Sequence, residues 1–215
     1  VDTLDVRVGS HRLPGELASP PSPRGVVVFA HGSGSSRHSP RNRMVAAALH
    51  RQDLATLLFD LLTEDEADDR RKVFDIKLLA TRLVEAVDAL AQWPAVAQRS
   101  VGLFGASTGA AAALVAAAGR PDSVAAVVSR GGRPDLAGAA LPLVRAPTLL
   151  IVGGADTEVL AMNEAAAQRL RAPWRLAVVP GATHLFAEPG ALEQVAELAA
   201  DWFAAHLGPS PGSRG

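Results

Sequence analysis

The chain has 215 residues and a formal net charge of -1 from 21 basic and 22 acidic side chains, a length that can bury one substantial core without metal or disulfide support. So even a balance gives no electrostatic footprint for nucleic acid or an anionic membrane. The absence of cysteine rules out disulfides, thiolate metal sites and a cysteine nucleophile. No apolar run reaches the length of a membrane span, and the N-terminal stretch lacks the basic-then-apolar pattern of a secretory signal, so the cytoplasm is the expected compartment.

Residues 1–9 alternate apolar and polar, Val6 and Val8 against Asp5 and Arg7, the pattern of an edge strand with one wet face. Residues 11–18 can pair with it, and the proline-rich loop 19–23 ends that hairpin because proline cannot donate to a sheet ladder. Residues 25–30 are short, β-branched and continuously apolar, as a strand covered on both faces should be. They lead straight into His31-Gly-Ser-Gly-Ser-Ser36. Residues 44–50 predict a helix and 54–61 another buried strand, whereas 63–72 reads as a charged, solvated loop. Between 74 and 90, Ile76, Leu79, Leu83, Val87 and Leu90 recur at helical spacing.

The stretch from Ser100 onward holds a strand that stops at Gly105, a turn at Ser107, and an alanine-rich helix through Ala118. Further on, 124–128 predicts a strand, 136–143 a short helix at best, and 148–152 a strand ending at Gly153-Gly-Ala-Asp156. A helix over 158–170 and a last strand over 175–179 precede Pro180-Gly-Ala-Thr-His184. Leu192, Val195, Leu198, Trp202 and Phe203 mark a final amphipathic helix. Residues 208–215 form a Pro/Gly/Ser tail expected to be disordered, which leaves 1–207 as one domain. The alternation of strand and helix predicts a mostly parallel sheet with helices on both faces. Its ligand crevice should lie outside the carboxyl ends of the strands, where His31-Gly32-Ser33, Ser107, Ser129-Arg130, Asp156 and His184 all fall.

Gly105-Ala-Ser-Thr-Gly109 is a G-x-S-x-G sequence in the strand–turn–helix context such an elbow requires. A nucleophile on so tight a turn is forced toward strained backbone angles, and a side chain two positions to either side would collide. A serine hydroxyl needs a base, and neutral imidazole suits neutral pH. Of six histidines, His184 alone follows a strand in the second half of the chain, which makes it the expected base. Asp156, directly off a strand end, is favoured as the carboxylate that orients it, with Asp135 after the preceding strand as competitor. The oxyanion donors are the N–H of Thr108 and, from the Gly32-Ser33-Gly34 turn, that of Ser33.

His31-Gly-Ser-Gly34, Gly105-Ala-Ser-Thr-Gly109, Gly153-Gly-Ala-Asp156 and Gly181-Ala-Thr-His184 together resemble the α/β-hydrolase family, and within it the small dienelactone-hydrolase-like branch, over nearly the whole chain. The resemblance implies an α/β-hydrolase fold of about eight mostly parallel strands, with Ser107 as nucleophile, Asp156 as acid, His184 as base, and Ser33 and Thr108 as oxyanion donors. Dienelactone hydrolases proper carry cysteine at the elbow, so the serine here directs the expectation to carboxylesterase chemistry rather than to lactones. Only residues 130–146 separate two strands where a lid would be inserted, which leaves no room for a sizeable cap and predicts small or short-acyl esters.

The expected activity is therefore ester hydrolysis through an acyl-enzyme, with no cofactor or metal, a small-molecule ester as partner, and neither nucleic acid nor membrane. An acyltransferase or peptidase would use the same residues, and a non-catalytic binding scaffold the same fold. Arg130 and Arg133 follow one strand end, and Arg37 and Arg41 follow the oxyanion loop. Arg37 and Arg130 are the candidates to bind a substrate carboxylate or phosphate, against the alternative of solvated surface.

Overall fold

The computed structural model describes residues 1–208, so residues 209–215 of the tail expected to be disordered lie outside the described residues. An antiparallel hairpin opens the chain: β1 (Asp2–Val8) pairs with β2 (Leu13–Ser19), Val8 opposite Leu13. β1 buries only Val6 and Val8, as its alternation requires. The strands β3 (Gly25–Ala30), β4 (Leu54–Phe59), β5 (Ser100–Ala106), β6 (Val124–Arg130), β7 (Thr148–Gly153) and β8 (Trp174–Val179) complete an eight-stranded sheet in the order β1-β2-β4-β3-β5-β6-β7-β8. β2 meets β4 antiparallel, and β4, β3, β5, β6, β7 and β8 run parallel to one another. Because β3, β4 and β7 are buried along their whole length, their apolar runs do not alternate.

The connections are α1 (Pro40–His50), α2 (Glu64–Ala67), α3 (Arg70–Val73), α4 (Ile76–Ala89), α5 (Thr108–Gly119), α6 (Thr157–Ala167) and α7 (Ala191–His206). Val45 and Leu49 of α1 and Val195 and Phe203 of α7 cover one face of the sheet over Phe29 and Phe104. The other face packs Leu79 and Leu83 of α4, Leu114 of α5 and Ala166 of α6 against Val26, Val28 and Leu103. α5 is buried nearly all round, and its alanines let the helix lie close against the sheet. This is the α/β-hydrolase architecture. Residues 134–143 form a 3₁₀ segment interrupted at Gly138 (φ 53), and no cap domain is inserted there. Among the described residues no helix is long and apolar enough to cross a membrane.

Two segments differ from the sequence reading. α1 starts at Pro40 rather than near Met44, because the Ser39 hydroxyl accepts the Asn42 N–H at 3.3 Å and Pro40 fits the first helical position. The charged stretch 63–72 is mostly exposed, as expected of a solvated surface, but it forms two short capped helices rather than a loop. Thr63 Oγ1 accepts the Glu66 N–H at 3.3 Å while Glu66 Oε2 accepts the Thr63 N–H at 3.1 Å, a reciprocal capping box. Asp69 caps the second helix by accepting the Arg71 N–H at 2.9 Å.

Glu66 then turns inward to Arg82 of α4, which is 3% exposed, with Oε1 at 3.0 Å from Nη2; Lys72 lies 3.7 Å from the same oxygen. Burial alone would raise the Glu66 carboxyl, but the Thr63 N–H and the charges of Arg82, Lys72 and His11 outweigh it and hold it below its ordinary 4.5. The stability tied to that depressed carboxyl is complete above the ordinary value and fades as the pH falls through the depressed one. Glu66→Gln should thus cost on the order of 3 kcal/mol at neutral pH by leaving Arg82 underpaired. In urea unfolding curves the gap between native and variant should narrow below pH 4.5. An undiminished gap at acid pH would contradict this account.

Candidate functional site

Ser107 is the single residue between the end of β5 and the start of α5, and its backbone sits at φ 52, ψ -122. A non-glycine residue there carries on the order of 1–3 kcal/mol of strain and persists only where its surroundings over-determine it. Here they do. The Ser107 N–H donates to the Arg130 carbonyl at 3.2 Å, and the Ser107 carbonyl accepts from Ala110 and Arg133, each at 3.1 Å. A Cβ at Gly109 would strike the Ala30 and His31 carbonyls, and one at Gly105 would strike the backbone of Gly109 and Ala110. At Gly32 it would come within 3.2 Å of Ser107 Cβ. Three glycines therefore let the β3 loop, the turn and the start of α5 close around one serine.

Asp156 follows β7 and His184 follows β8 on two loops stitched together by their backbones. Gly154 N–H donates to Val179 at 2.8 Å and Ala155 N–H to Ala182 at 3.0 Å. His184 Nδ1 meets Asp156 Oδ2 at 2.8 Å. The carboxylate accepts, so Nδ1 carries the proton and Nε2 keeps its lone pair. Asp135 instead forms a two-pronged pair with Arg133 at 2.9 and 2.8 Å, and that hydrogen-bonded partner holds its carboxyl below the usual carboxylate range. Ser107, His184 and Ser33 line one cavity of about 240 Å³. Among the described residues the backbone N–H groups of Ser33 and Thr108 have no protein acceptor.

A second cavity, of about 270 Å³, begins on the other side of the Gly32–Ser33 loop and is walled by Leu61, Leu62, Ala67, Val73 and Leu79, with Thr108 at its edge. His31 lines this second cavity. Its Nε2 accepts the Leu61 N–H at 3.1 Å, so its Nδ1 carries the proton and donates to the Gly32 carbonyl at 3.0 Å. The ring clamps the β3 loop to the loop after β4. Burial pulls its pKa below the ordinary 6.5 against the raising effects of the Gly32 carbonyl and Asp60.

The arginines divide sharply. Arg37 lines neither cavity: its backbone N–H donates to Asp60 Oδ1 at 2.8 Å and its guanidinium pairs with Oδ2. Arg133 is held by Asp135. Arg130 does line the Ser107 cavity, and beside it stands Arg41. Arg130 is 7% exposed, and its sole side-chain hydrogen bond among the described residues is to Asn42 Oδ1 at 3.4 Å. Burial, with the neighbouring Arg41 charge, pushes its guanidinium down to about 10, so it remains a cation at neutral pH.

The sequence profile of the dienelactone hydrolase family matches residues 13–207. The chain belongs to the dienelactone hydrolase family. It is similar to the crystal structure of dienelactone hydrolase from Anabaena variabilis, at 58% identity and a TM-score of 0.91 over 96% of this chain and 97% of that one. Est1E from Butyrivibrio proteoclasticus shares the fold at 17% identity, with a TM-score of 0.79 over 95% of this chain and 98% of that one. Two Mycobacterium tuberculosis proteins that carry the provisional name phosphoribosyl transferase are 59% identical over 211 residues, which is 98% of this chain and 48% of theirs. The chain thus spans about half the length of the curated relatives it matches. Its family and fold are those of hydrolases.

In this dienelactone hydrolase family member the sequence reading placed Ser107, Asp156, His184, Ser33 and Thr108 at strand ends, and the fold gathers all five around the Gly32–Ser33 loop. It named Arg41 beside Arg37 but chose Arg37 as the candidate, and it missed Asn42, the clamp role of His31 and the apolar cavity. The Ser39-Pro40 cap and the Thr63-x-x-Glu66 box were the available signals. The His31 assignment is checked by titrating the ring resonances in NMR: the midpoint should fall below 6.5, with the proton on Nδ1 above it. A midpoint at or above 6.5, or a proton on Nε2, would refute it.

Proposed function

We propose that the chain is a serine hydrolase that cleaves small or short-acyl carboxylic esters through an acyl-enzyme. The observation that carries this reading is Ser107, held at positive φ in one cavity with a His184 ring whose Nδ1 is engaged by Asp156 at 2.8 Å. His184 Nε2 takes the Ser107 Oγ proton as Oγ attacks the ester carbonyl carbon, and the carbonyl electron pair moves onto oxygen. The Ser33 and Thr108 N–H groups, free of protein acceptors among the described residues, receive that oxyanion. Collapse of the intermediate breaks the bond to the alcohol, which leaves with the proton from Nε2. Water then repeats the attack with His184 as base, releases the acid and returns the proton to Ser107. Asp156 stays ionised throughout and steadies the imidazolium.

Cavities of about 270 and 240 Å³ lie at or below the small end of ligand sites, which supports compact substrates. The apolar one suits a short acyl chain. The tuberculosis relatives named as phosphoribosyl transferases are about twice the length of this chain, and for the half represented here the Ser107 geometry favours hydrolysis.

Intact-mass analysis after exposure to a small organophosphonate should reveal one adduct on the native chain and none on Ser107→Ala. A folded native chain that takes no adduct would overturn the reading in favour of a binding scaffold. On any ester that is turned over, Ser107→Ala and His184→Ala should each lower kcat by about 10⁵- to 10⁶-fold. Asp156→Asn should cost about 10⁴-fold. Asp135→Asn, which contacts Arg133 rather than His184, should stay within roughly threefold. Product analysis separates hydrolysis from transfer to another acceptor.

A further inference from the structure

The half-buried and buried arginines of this protein are, with two exceptions beside Ser107, matched to carboxylates: Arg82 to Glu66, Arg37 to Asp60, Arg133 to Asp135, Arg43 to Glu16. The exceptions are Arg130 and Arg41. Arg130 is more than nine-tenths buried, its Nε has no partner, and its one hydrogen bond reaches a neutral amide oxygen at 3.4 Å. Arg41 lines the same cavity with its own Nε buried and without a partner. Arg41 also borders an adjoining groove lined by Glu188 and Glu193, and among the described residues neither carboxylate forms an ion pair with it.

Arg41 lies in the first turn of α1, an eleven-residue helix with no acidic side chain in that turn, and the N-cap Ser39 also faces the cavity. The helix N-terminus therefore adds to the positive potential instead of being neutralised. A buried cation without a counter-charge costs several kcal/mol. Arg130 is such a cation, and with half-buried Arg41 beside it, next to a helix N-terminus and in the cavity that holds the reacting serine, it forms a preorganised receptor for an anion that the described residues do not supply.

A monoanionic carboxylate would leave one of the two guanidinium groups uncompensated. A phosphate monoester carries close to two negative charges at neutral pH and three acceptor oxygens, enough to match both guanidinium groups. We propose that Arg130, Arg41 and the N-terminus of α1 form a subsite for a phosphate monoester borne by the substrate, so that this hydrolase acts on short-chain esters of a phosphorylated alcohol. The inference rests on Ser107 being the nucleophile. The acyl chain enters the apolar cavity, the phosphorylated alcohol lies against the arginines, and the carbonyl carbon sits between them at Ser107. Hydrolysis then breaks the acyl C–O bond, adds the elements of water, and leaves the phosphate untouched on the departing alcohol.

The test has two arms. Inorganic phosphate titrated calorimetrically into the Ser107→Ala chain should bind saturably at one site, and acetate at least about tenfold more weakly. Adding Arg130→Gln or Arg41→Gln should each weaken phosphate binding by roughly tenfold or more. In phosphate-free buffer Arg130→Gln should melt no lower than the native chain, because it removes an unpaired buried charge; an arginine kept for structure would melt lower. In the second arm, the native chain should hydrolyse 1-butanoylglycerol 3-phosphate with a kcat/KM at least about tenfold above that for 1-butanoylglycerol, and Arg41→Gln should erase most of that preference.

Absent phosphate binding on a chain of native fold, or acetate binding equal to phosphate, overturns the subsite. Phosphate binding without preference for the phosphorylated ester marks a site for the free anion and overturns the substrate assignment. Phosphate binding with no organophosphonate adduct and no turnover of either ester would instead overturn the Ser107 reading, and the substrate assignment with it. No phosphate binding to the Ser107→Ala chain with both arginines in place, while the native chain takes the adduct, overturns the subsite alone.

Discussion

The positive-φ turn at Ser107 is the constraint around which the molecule is built. A strand cannot pass into a helix across one residue unless that residue takes a strained conformation and both neighbouring backbones come within contact distance. Gly105 and Gly109 permit the contact with α5, and Gly32 lets the β3 loop close on Ser107 Cβ. Strain on the order of 1–3 kcal/mol is sustained by the rest of the sheet. β6 supplies the Arg130 carbonyl for the serine N–H, and the loop beyond it supplies the Arg133 N–H for the serine carbonyl. α5 must then be almost wholly small residues, because a helix begun at that turn lies pressed against β5 on one side and α4 on the other.

The same economy of placement governs charge. Along the outside of the sheet, arginines are neutralised locally: Glu66 takes Arg82, Asp60 takes Arg37, and Asp135 takes Arg133. Each pair also fixes a loop that borders the crevice, so the carboxylates act as fasteners for the walls of the site. Asp156 is the exception among the loop carboxylates at the strand ends, since its partner is an imidazole rather than a guanidinium. A permanently charged partner would hold a carboxylate but could not exchange a proton, whereas an imidazole can do both. Arg130 and Arg41 are the complementary exception, cations left without carboxylate partners in the cavity that Ser107 lines.

Much of this was legible before any coordinates. Hydrophobic runs without alternation marked β3, β4 and β7 because those strands are buried on both faces, and loops at the ends of β3, β5, β7 and β8 marked the positions of Ser33, Ser107, Asp156 and His184. That Asp156 meets His184 while Asp135 meets Arg133 is decided by distance, as is the division of arginines into paired and unpaired: Asp135 has Arg133 two residues away, yet Arg37 finds Asp60 across a loop and Arg82 finds Glu66 sixteen positions earlier. The stretch 63–72 was read as solvated because its composition is that of a surface, and its capping box, though visible, does not say which way Glu66 points.

The division follows from the range of the forces involved. Backbone sterics, capping and hydrophobic period act over a few residues, so element type, the elbow at Ser107 and the placing of Asp156 and His184 just after strands are written locally in the chain. Which cation meets which anion, which histidine ring is clamped neutral and which wall closes a cavity depend on groups tens of residues apart, and these are settled when the parallel sheet brings its strand ends together. His31 illustrates both. Its place after β3 is a fact of order along the chain, while its tautomer is dictated by the Leu61 N–H that only the folded sheet delivers to Nε2.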